Sequence, residues 1–278
     1  MSKELCELIN LADNYVVDDP SNPGEYNSMR FLGMIFSGNE CNSDDQKLSS
    51  GFIALLTLLN SINNNENLEG DKLVEYAILW LSYKLNKKKE NGTTILNDFY
   101  NNNVVNSCYY QKINADSDSD SDNKINKDDI EKKIGSMDID IKDISNFYDA
   151  FKSLCNMYIE IGAENYQCNK CLENAGELFE KYEKLKNALD INKGSSYYKL
   201  LSSLSNDYKN FENKYNSHEC SRISPLVAYP RSSVIKNTLI TISVIFVAAS
   251  ILLGVSYKYS LFGFRKRSQK HLREKLKK

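Results

Sequence analysis

The longest uncharged stretch of the sequence lies near its carboxyl end, between Lys236 and Lys258, and holds 21 residues that are mostly Ile, Val, Leu, Phe and Ala. An α-helix rises about 1.5 Å per residue, so this stretch would span about 31 Å, close to the roughly 30 Å hydrocarbon core of a bilayer. No other part of the chain is apolar enough to enclose a helix without a polar face, which disfavours a buried core helix. We therefore predict a single transmembrane helix over 237–257, with the lipid bilayer as a partner.

The distribution of charge predicts which side of the membrane each part occupies. Residues 258–278 contain nine of the 35 basic residues and one of the 37 acidic residues, Glu274. The rest of the chain therefore holds 26 basic and 36 acidic residues, a net charge of −10. Because basic flanks of a membrane span remain in the cytoplasm, we expect a cytoplasmic tail over 258–278 and residues 1–236 on the opposite side.

The amino-terminal sequence leaves a second topology open. Its short amphipathic runs are interrupted by Glu4, Glu7 and Asp13, so it lacks the apolar region of a conventional signal peptide. Translocation would depend on the carboxyl-terminal span or on a specialised export route. The alternative is a tail-anchored protein whose bulk lies in the cytosol.

All seven cysteines precede the predicted span: Cys6, Cys41, Cys108, Cys155, Cys168, Cys171 and Cys220. This distribution favours an oxidising compartment with three disulfides and one remaining thiol, but the sequence does not reveal the pairing. Reduced structural thiols are one alternative and a metal site is another. Zinc would need four ligands, yet Cys168 and Cys171 are the only close pair, and the two histidines, His218 and His271, lie in the predicted stalk and tail.

Apolar side chains recur every three or four residues through most of the region before the span. Three clear runs lie at 144–158, 172–189 and 197–215. Each predicts an amphipathic helix that packs against other helices. Residues 49–62 and 71–85 are more densely apolar, and we expect them to form the central pair, with Trp80 in the core. The predicted class is an all-α, disulfide-bridged ectodomain over 1–216.

Two segments interrupt this helical pattern. Residues 114–133 alternate Ser and Asp before a charged run and have no apolar face, which predicts a solvated, mobile insertion. Their spaced aspartates resemble a calcium loop, but the glycine and the closing glutamate of an EF-hand are absent. Residues 217–236 contain two of the four prolines and predict a short stalk before the membrane.

The sequence lacks the usual signatures of catalysis and nucleotide binding. Neither histidine is expected in the folded core, which excludes Ser-His-Asp and Cys-His arrangements. No glycine-rich phosphate loop is present. We therefore expect no catalytic residue, cofactor, metal or small-molecule substrate. The basic tail lies against a bilayer, so we expect no nucleic-acid partner either.

Five stretches have an order of residues that no general physical rule demands. They are MSKELCELINLADNYVVDD, GFIALLTLLNSI, EYAILWLSYKL, YYKLLSSLSNDYKNFENKY and YKYSLFGFRKRSQKHLREKLKK. These stretches resemble the Plasmodium interspersed repeat (PIR) proteins of the rodent-malaria type. The similarity runs over nearly the whole chain and is most specific in the tail.

The resemblance implies a large multigene family of variant surface or exported antigens, with a mostly helical, cysteine-bridged ectodomain and one carboxyl-terminal span. It implies roles in antigenic variation, immune evasion or adhesion of infected erythrocytes, without enzymatic activity. A host receptor or an antibody is then the expected partner, and the membrane is that of the parasite surface or of the infected host cell. The alternative function is an intracellular, membrane-anchored scaffold or trafficking protein with a cytosolic helical domain.

Overall fold

The structure is a computed structural model that describes residues 1–22, 24–36, 41, 47–62, 68–88, 95–113, 125–137, 139–188, 194–217, 220 and 226. They belong to one compact unit, Met1–Val227, while a second unit, Ala228–Lys278, lies outside the described residues. The predicted span at 237–257, its flanks Lys236 and Lys258 and the tail at 258–278 therefore lie outside them too. None of the helices within the described ranges combines the length and the apolar character needed to cross a membrane.

The described part of the chain is mostly helical, as the sequence predicts. Its α-helices are α1 (Lys3–Tyr15), α2 (Met29–Ile35), α3 (Leu48–Asn60), α4 (Gly70–Lys88), α5 (Leu96–Phe99), α6 (Lys127–Ser136), α7 (Ile141–Ile161), α8 (Cys168–Asn187) and α9 (Gly194–Asn216). A π-helical turn (Tyr100–Val104) follows α5 directly, and a 3-10 helix (Cys108–Lys112) comes next.

One small hairpin departs from the all-helical prediction. Strand β1 (Val17–Asp18) pairs antiparallel with β2 (Tyr26–Asn27), in the register Val17 to Asn27 and Asp18 to Tyr26. The connection contains Gly24 at a φ of +107°, a conformation that side chains disfavour. The hairpin connects α1 to α2 and brings Tyr26 against the buried interior, where its hydroxyl donates to the carbonyl of Lys84 at 2.9 Å.

Helices α4 and α7 lie at the centre of the domain. Helix α4 packs against α3, α6 and α7, and α7 packs against α1, α4, α8 and α9. Because α4 has neighbours on several sides, it is buried around most of its circumference, and Trp80 is fully buried as expected. The rings of Tyr76 in α4 and Phe151 in α7 stack at 4.9 Å between centroids. The core therefore depends on α7 as much as on the expected pair α3 and α4.

Helix α6 corrects the prediction of a mobile insertion over 114–133. Asn126 caps the helix by accepting a 2.8 Å hydrogen bond from the amide of Asp129, and Ile130 and Ile134 are buried. These isoleucines are four residues apart and lie on one helical face, which packs on α4. The prediction of a mobile insertion is therefore wrong from residue 127 onward. The preceding Ser/Asp run obscured the four-residue spacing of the two isoleucines in the sequence. Residues 114–124 lie outside the described residues.

The carboxyl-terminal boundary of the domain also differs from the prediction of a stalk over 217–236. Cys220 is fully buried and Leu226 is 8% exposed, and the first compact unit extends to Val227. The segment is held because Cys220 is bridged to Cys168 at the start of α8. The prolines in this stretch indicated a linker, but the disulfide attaches its first part to the helical domain.

Candidate functional site: the disulfide framework and the polar clusters

The disulfide Cys6–Cys155 joins α1 to α7 across a sequence separation of 149 residues. Its Cα atoms are 5.1 Å apart, and both cysteines are fully buried among apolar side chains. In the chain-entropy account, closing a loop of this length stabilises the folded state by about 5 kcal/mol. The first helix is therefore covalently attached to the centre of the core.

Two further disulfides fasten the periphery. Cys41 precedes α3 and is bridged to Cys108 in the 3-10 helix, with 6.0 Å between Cα atoms. Cys168 is bridged to Cys220, with 5.4 Å between Cα atoms. The structure thus has three disulfides, the number that the sequence predicts, and it brings together pairs that are 67 and 52 residues apart.

Cys171 is the remaining free cysteine, and it does not pair with its close neighbour Cys168. It is fully buried, and its Sγ lies 3.8 Å from the carbonyl oxygen of Met157. Burial raises the pKa of the Cys171 thiol to about 11, and the charge of Glu160 acts in the same direction. A protonated, enclosed thiol is a poor nucleophile, so its place is structural. Within the described ranges, no group of three or more His, Cys, Asp or Glu side chains is placed to hold a metal ion.

Asp13 in α1 is the centre of a polar cluster that joins three helices. Its Oδ1 accepts a 3.0 Å hydrogen bond from the indole of Trp80 and lies 3.5 Å from Lys84 Nζ. Its Oδ2 accepts a 2.8 Å hydrogen bond from the hydroxyl of Tyr148 and a further one from Lys152. We refer to these five residues as the Asp13 cluster.

The electrostatics of the Asp13 cluster follow from its burial. Burial raises the pKa of Tyr148 well above its usual range, and the negative charge of Asp13 adds to this effect. Burial lowers the pKa of Lys84, although Asp13 opposes the change. Lys84 also donates to the carbonyl of Val16 at 3.0 Å. The side chains of Tyr148 and Lys84 both have hydrogen-bond partners. The cluster therefore holds α1, α4 and α7 together and does not present a reactive group.

A second polar cluster joins α4, α6 and α9. Glu75 and Asp207 are 7% and 3% exposed. Lys72 Nζ lies 3.1 Å from Glu75 and 2.9 Å from Asp207, and Lys133 Nζ lies 3.0 Å from Glu75. Ser203 donates a further hydrogen bond to Glu75. We refer to these five residues as the Glu75 cluster. Each buried carboxylate has a cationic partner, which offsets the cost of removing it from water.

A cavity of about 210 Å³ opens at the amino-terminal end of α3. Three segments line it: the hairpin, the first turn of α3 and the turn after α5. The lining residues are Glu25, Tyr26, Lys47, Leu48, Ser49, Phe99 and Asn103. We refer to it as the α3 cavity.

Sequence reasoning identified the cysteines but neither cluster nor the cavity. In the sequence, Asp13 only interrupts an apolar run. Its partners Trp80 and Tyr148 are 67 and 135 residues away, so no local pattern marks it. The cavity is likewise assembled from three distant segments. The flanks Lys236 and Lys258 lie outside the described residues and are not placed by the structure.

Comparisons with known proteins agree with this architecture. The family model described as Plasmodium variant antigen protein Cir/Yir/Bir matches residues 6–258. The chain is also similar to a solved structure of a Plasmodium PIR protein ectodomain, with 30% sequence identity and a TM-score of 0.56, over 82% of this chain and 98% of that chain. No curated protein matches the sequence.

A mostly helical domain with three disulfides, similar in fold to a PIR ectodomain, defines the class as a PIR protein. The family match covers most of the sequence. The chain therefore belongs to the Plasmodium variant antigen family Cir/Yir/Bir, and it is a variant antigen of a malaria parasite.

Proposed function

We propose that this variant antigen presents its helical domain outside the cytosol, at the surface of the parasite or of the infected host cell. Its role is antigenic variation, immune evasion or adhesion, and it catalyses no reaction. The span at 237–257 holds the protein in the membrane, and the basic tail at 258–278 lies in the cytoplasm. The host partner is a receptor or an antibody.

The disulfide framework is the observation that carries this proposal. Three bridges involve six of the seven cysteines, and disulfides persist in oxidising compartments but are rare in the cytosol. Cys6–Cys155 closes a loop of 149 residues inside the core. In a cytosolic scaffold, Cys6 and Cys155 would have to stay reduced, although their Cα atoms are only 5.1 Å apart and both side chains are fully buried. The bridged pairing therefore favours the surface antigen over the intracellular scaffold.

An exposed surface suited to recognition lies next to one of these bridges. Residues 101–106 are asparagine-rich, and most of their side chains are exposed. The side-chain amide of Asn106 donates to the backbone carbonyls of Asn101 and Asn102 at 3.2 and 3.0 Å, which orders this surface. The segment leads directly to Cys108, whose disulfide fixes its end. An ordered surface loses less entropy when a partner binds, which favours recognition by a receptor or an antibody.

Antibody staining of intact infected cells, and of intact parasites released from them, tests the proposal. One antibody is directed against residues 101–106 and a second against the tail at 265–278. We expect the first to label intact cells and the second to label cells only after permeabilisation. Labelling by both antibodies only after permeabilisation would contradict surface display and favour the scaffold.

The redox state of the native cysteines provides a second, independent test. Cells are quenched in acid, the protein is unfolded in urea, free thiols are alkylated, and the peptides are analysed by mass spectrometry. We expect Cys171 alone to be alkylated and the other six cysteines to be recovered as the three bridged pairs. Seven alkylated cysteines would place the domain in a reducing compartment and contradict the proposal.

A further inference from the structure

The asparagine-rich surface at 101–106 is attached to the domain by the three residues that follow it. The hydroxyl of Ser107 lies 2.9 Å from the hydroxyl of Ser50 in α3. The ring of Tyr109 stacks on the ring of Phe36, directly after α2, with 5.1 Å between the centroids. The residue between Ser107 and Tyr109 is a bridged cysteine. We refer to residues 101–106 as the asparagine surface.

The backbone of the asparagine surface depends on these attachments. The surface begins inside the π-helical turn, where the amide of Val105 donates to the carbonyl of Tyr100 at 3.0 Å. The 3-10 helix that follows it has only five residues. Helices this short are not stable alone in water, and π-helical turns are rare. Contacts with the rest of the domain must therefore hold the surface in shape.

The disulfide Cys41–Cys108 is the only covalent attachment of the three, and solvent reaches it. Cys108 is exposed, and Cys41 is 9% exposed. In the bridge Cys6–Cys155, by contrast, both cysteines are fully buried, and Cys220 is fully buried in the third bridge. Exposed disulfides are the ones that external thiols reduce most readily, and they are often regulatory. The structure thus places its most accessible disulfide at the end of the asparagine surface.

We propose that Cys41–Cys108 is a thiol-sensitive switch that controls the order of the asparagine surface. This inference rests on the proposed role of that surface in recognition. An external dithiol supplies the two electrons. One of its thiolates attacks Sγ of Cys108, the S–S bond breaks, and Cys41 leaves as a thiolate that takes up a proton. The second thiol of the reagent then attacks the mixed disulfide, which frees Cys108 as a thiol and leaves the reagent as a disulfide.

Opening the bridge loosens the surface and leaves the rest of the domain folded. The contacts made by Ser107 and Tyr109 remain, but both are non-covalent. The buried bridge Cys6–Cys155 still holds α1 on α7. The opening is therefore local, as in other proteins whose peripheral segments unfold separately from the core. A partner then has to order the surface when it binds, which weakens its affinity.

A graded reduction of the full chain in detergent tests the switch. The protein is equilibrated with increasing dithiothreitol, alkylation with mass spectrometry identifies the open bridge, and hydrogen exchange is measured on the same samples. At the concentration that opens only Cys41–Cys108, we expect amide exchange at 100–112 to accelerate at least about tenfold. Exchange in α4 and α7 should stay unchanged. Reoxidation should restore both the bridge and the slow exchange.

Binding of an antibody fragment provides the functional readout. The fragment is raised against the folded protein and selected for an epitope within 101–106. Its dissociation constant should rise at least about fivefold when Cys41–Cys108 opens, and it should return to the starting value after reoxidation.

Two double variants form a matched pair. Cys41→Ser with Cys108→Ser should reproduce the fast exchange and the weak binding without reductant, and should no longer respond to it. Cys168→Ser with Cys220→Ser removes a different peripheral bridge, so it should keep the slow exchange at 100–112 and its response to reductant. Circular dichroism checks that each variant is folded, and the reduction of the parent protein needs no variant.

Three results would overturn the proposal. In the first, opening Cys41–Cys108 leaves exchange at 100–112 and antibody binding unchanged. In the second, exchange accelerates in α4 and α7 at the same time, which makes the opening global. In the third, Cys41–Cys108 opens no earlier than the other two bridges. Each is measured on purified protein, so a failure here is distinct from a failure of surface display, which only the staining of cells reveals.

Discussion

Tyr148 in α7 donates a 2.8 Å hydrogen bond to Asp13 in α1, across 135 residues of sequence. The disulfide Cys6–Cys155 joins the same two helices. Since Cys6 and Asp13 are seven residues apart, they lie about two turns apart on α1 and hold it at two points. The first helix therefore has a covalent and a polar attachment to the centre of the domain.

Replacing Asp13 with Asn should destabilise the domain by about 2–4 kcal/mol, because the Asp13 cluster would lose its only carboxylate while Lys84 and Lys152 remain partly enclosed. Guanidinium unfolding, followed by the fluorescence of Trp80, measures the change. Asp18→Asn is the matched control. Asp18 pairs with Lys88 at 2.8 Å, but its side chain is 78% exposed, so its loss should cost less than about 1 kcal/mol. Equal effects of the two variants would contradict a special role for Asp13.

Helix α6 offers a test with two adjacent lysines. Lys133 lies 2.7 Å from Asp71 and 3.0 Å from the buried Glu75, whereas Lys132 is exposed. Burial lowers the pKa of Lys133, but the charges and hydrogen bonds of Glu75 and Asp71 outweigh it and raise the pKa overall. Lys133→Met should cost about 1–2 kcal/mol and speed amide hydrogen exchange in α6, because Glu75 loses a cationic partner. Lys132→Met should change neither quantity. Faster amide hydrogen exchange in both variants would contradict a specific role of Lys133, because the loss of any positive charge from α6 would then have the same effect.

The sequence predicts those parts of the fold whose determinants are local. Trp80 lies in a run of apolar residues that is too dense for a surface helix, and its burial follows from that pattern. Helices α7, α8 and α9 follow from apolar spacing in the same way. The number of disulfides follows from the count of cysteines and their position before the predicted span.

Other features depend on pairs of residues that only the folded chain brings together. The partner of Cys6 could have been any of six cysteines, because connectivity is set by tertiary packing. Asp13 becomes the centre of a cluster through Trp80 and Tyr148, which lie on other helices. Ser49 is an ordinary helix residue in the sequence, and the cavity around it exists only because the hairpin and the turn after α5 meet α3. Polar sites of this kind carry no periodic signal.

Alkaline pH should unfold the domain through its buried tyrosines. Burial raises the pKa of Tyr76 well above its usual range, with the charge of Asp207 adding to it, and burial raises the pKa of Tyr197 to about 12. Their stabilising contribution is fully present below the unfolded pKa of about 10 and is lost as the pH rises through the folded values, because the folded state then retains protons that the unfolded state has released. Burial lowers the pKa of Lys84, so this residue has the opposite effect on the free energy of unfolding as the pH rises. It is a single group, however, and does not offset the buried tyrosines.

The denaturation midpoint should therefore fall steeply above pH 10, with tyrosinate absorbance at 295 nm rising together with unfolding. Tyr76→Phe isolates one contributor. The hydroxyl of Tyr76 has no hydrogen-bond partner among the described residues, so its removal should leave stability at pH 7 within about 1 kcal/mol of the parent and make the alkaline fall less steep. Tyr198→Phe, at a position that is 50% exposed, is the control and should leave the slope unchanged. A stability that stays constant between pH 9 and 11 would contradict the role of the buried tyrosines.

Alkylation should distinguish the free thiol of Cys171 from the six bridged cysteines, and stepwise reduction should show the order in which the disulfides open. With a pKa of about 11, the buried thiol of Cys171 should react with iodoacetamide at pH 7.5 at least about 100-fold more slowly in the folded protein than in urea, where its thiolate fraction and access both rise. Cys171→Ser should abolish the reaction in urea.

Stepwise reduction with dithiothreitol, followed by mass spectrometry, should open Cys41–Cys108 before Cys6–Cys155, because Cys108 is exposed whereas both cysteines of the core bridge are fully buried. Loss of the core bridge should coincide with unfolding. Early reduction of Cys6–Cys155 in a domain that keeps its helical circular dichroism would show that α1 separates readily from α7, contrary to its double attachment.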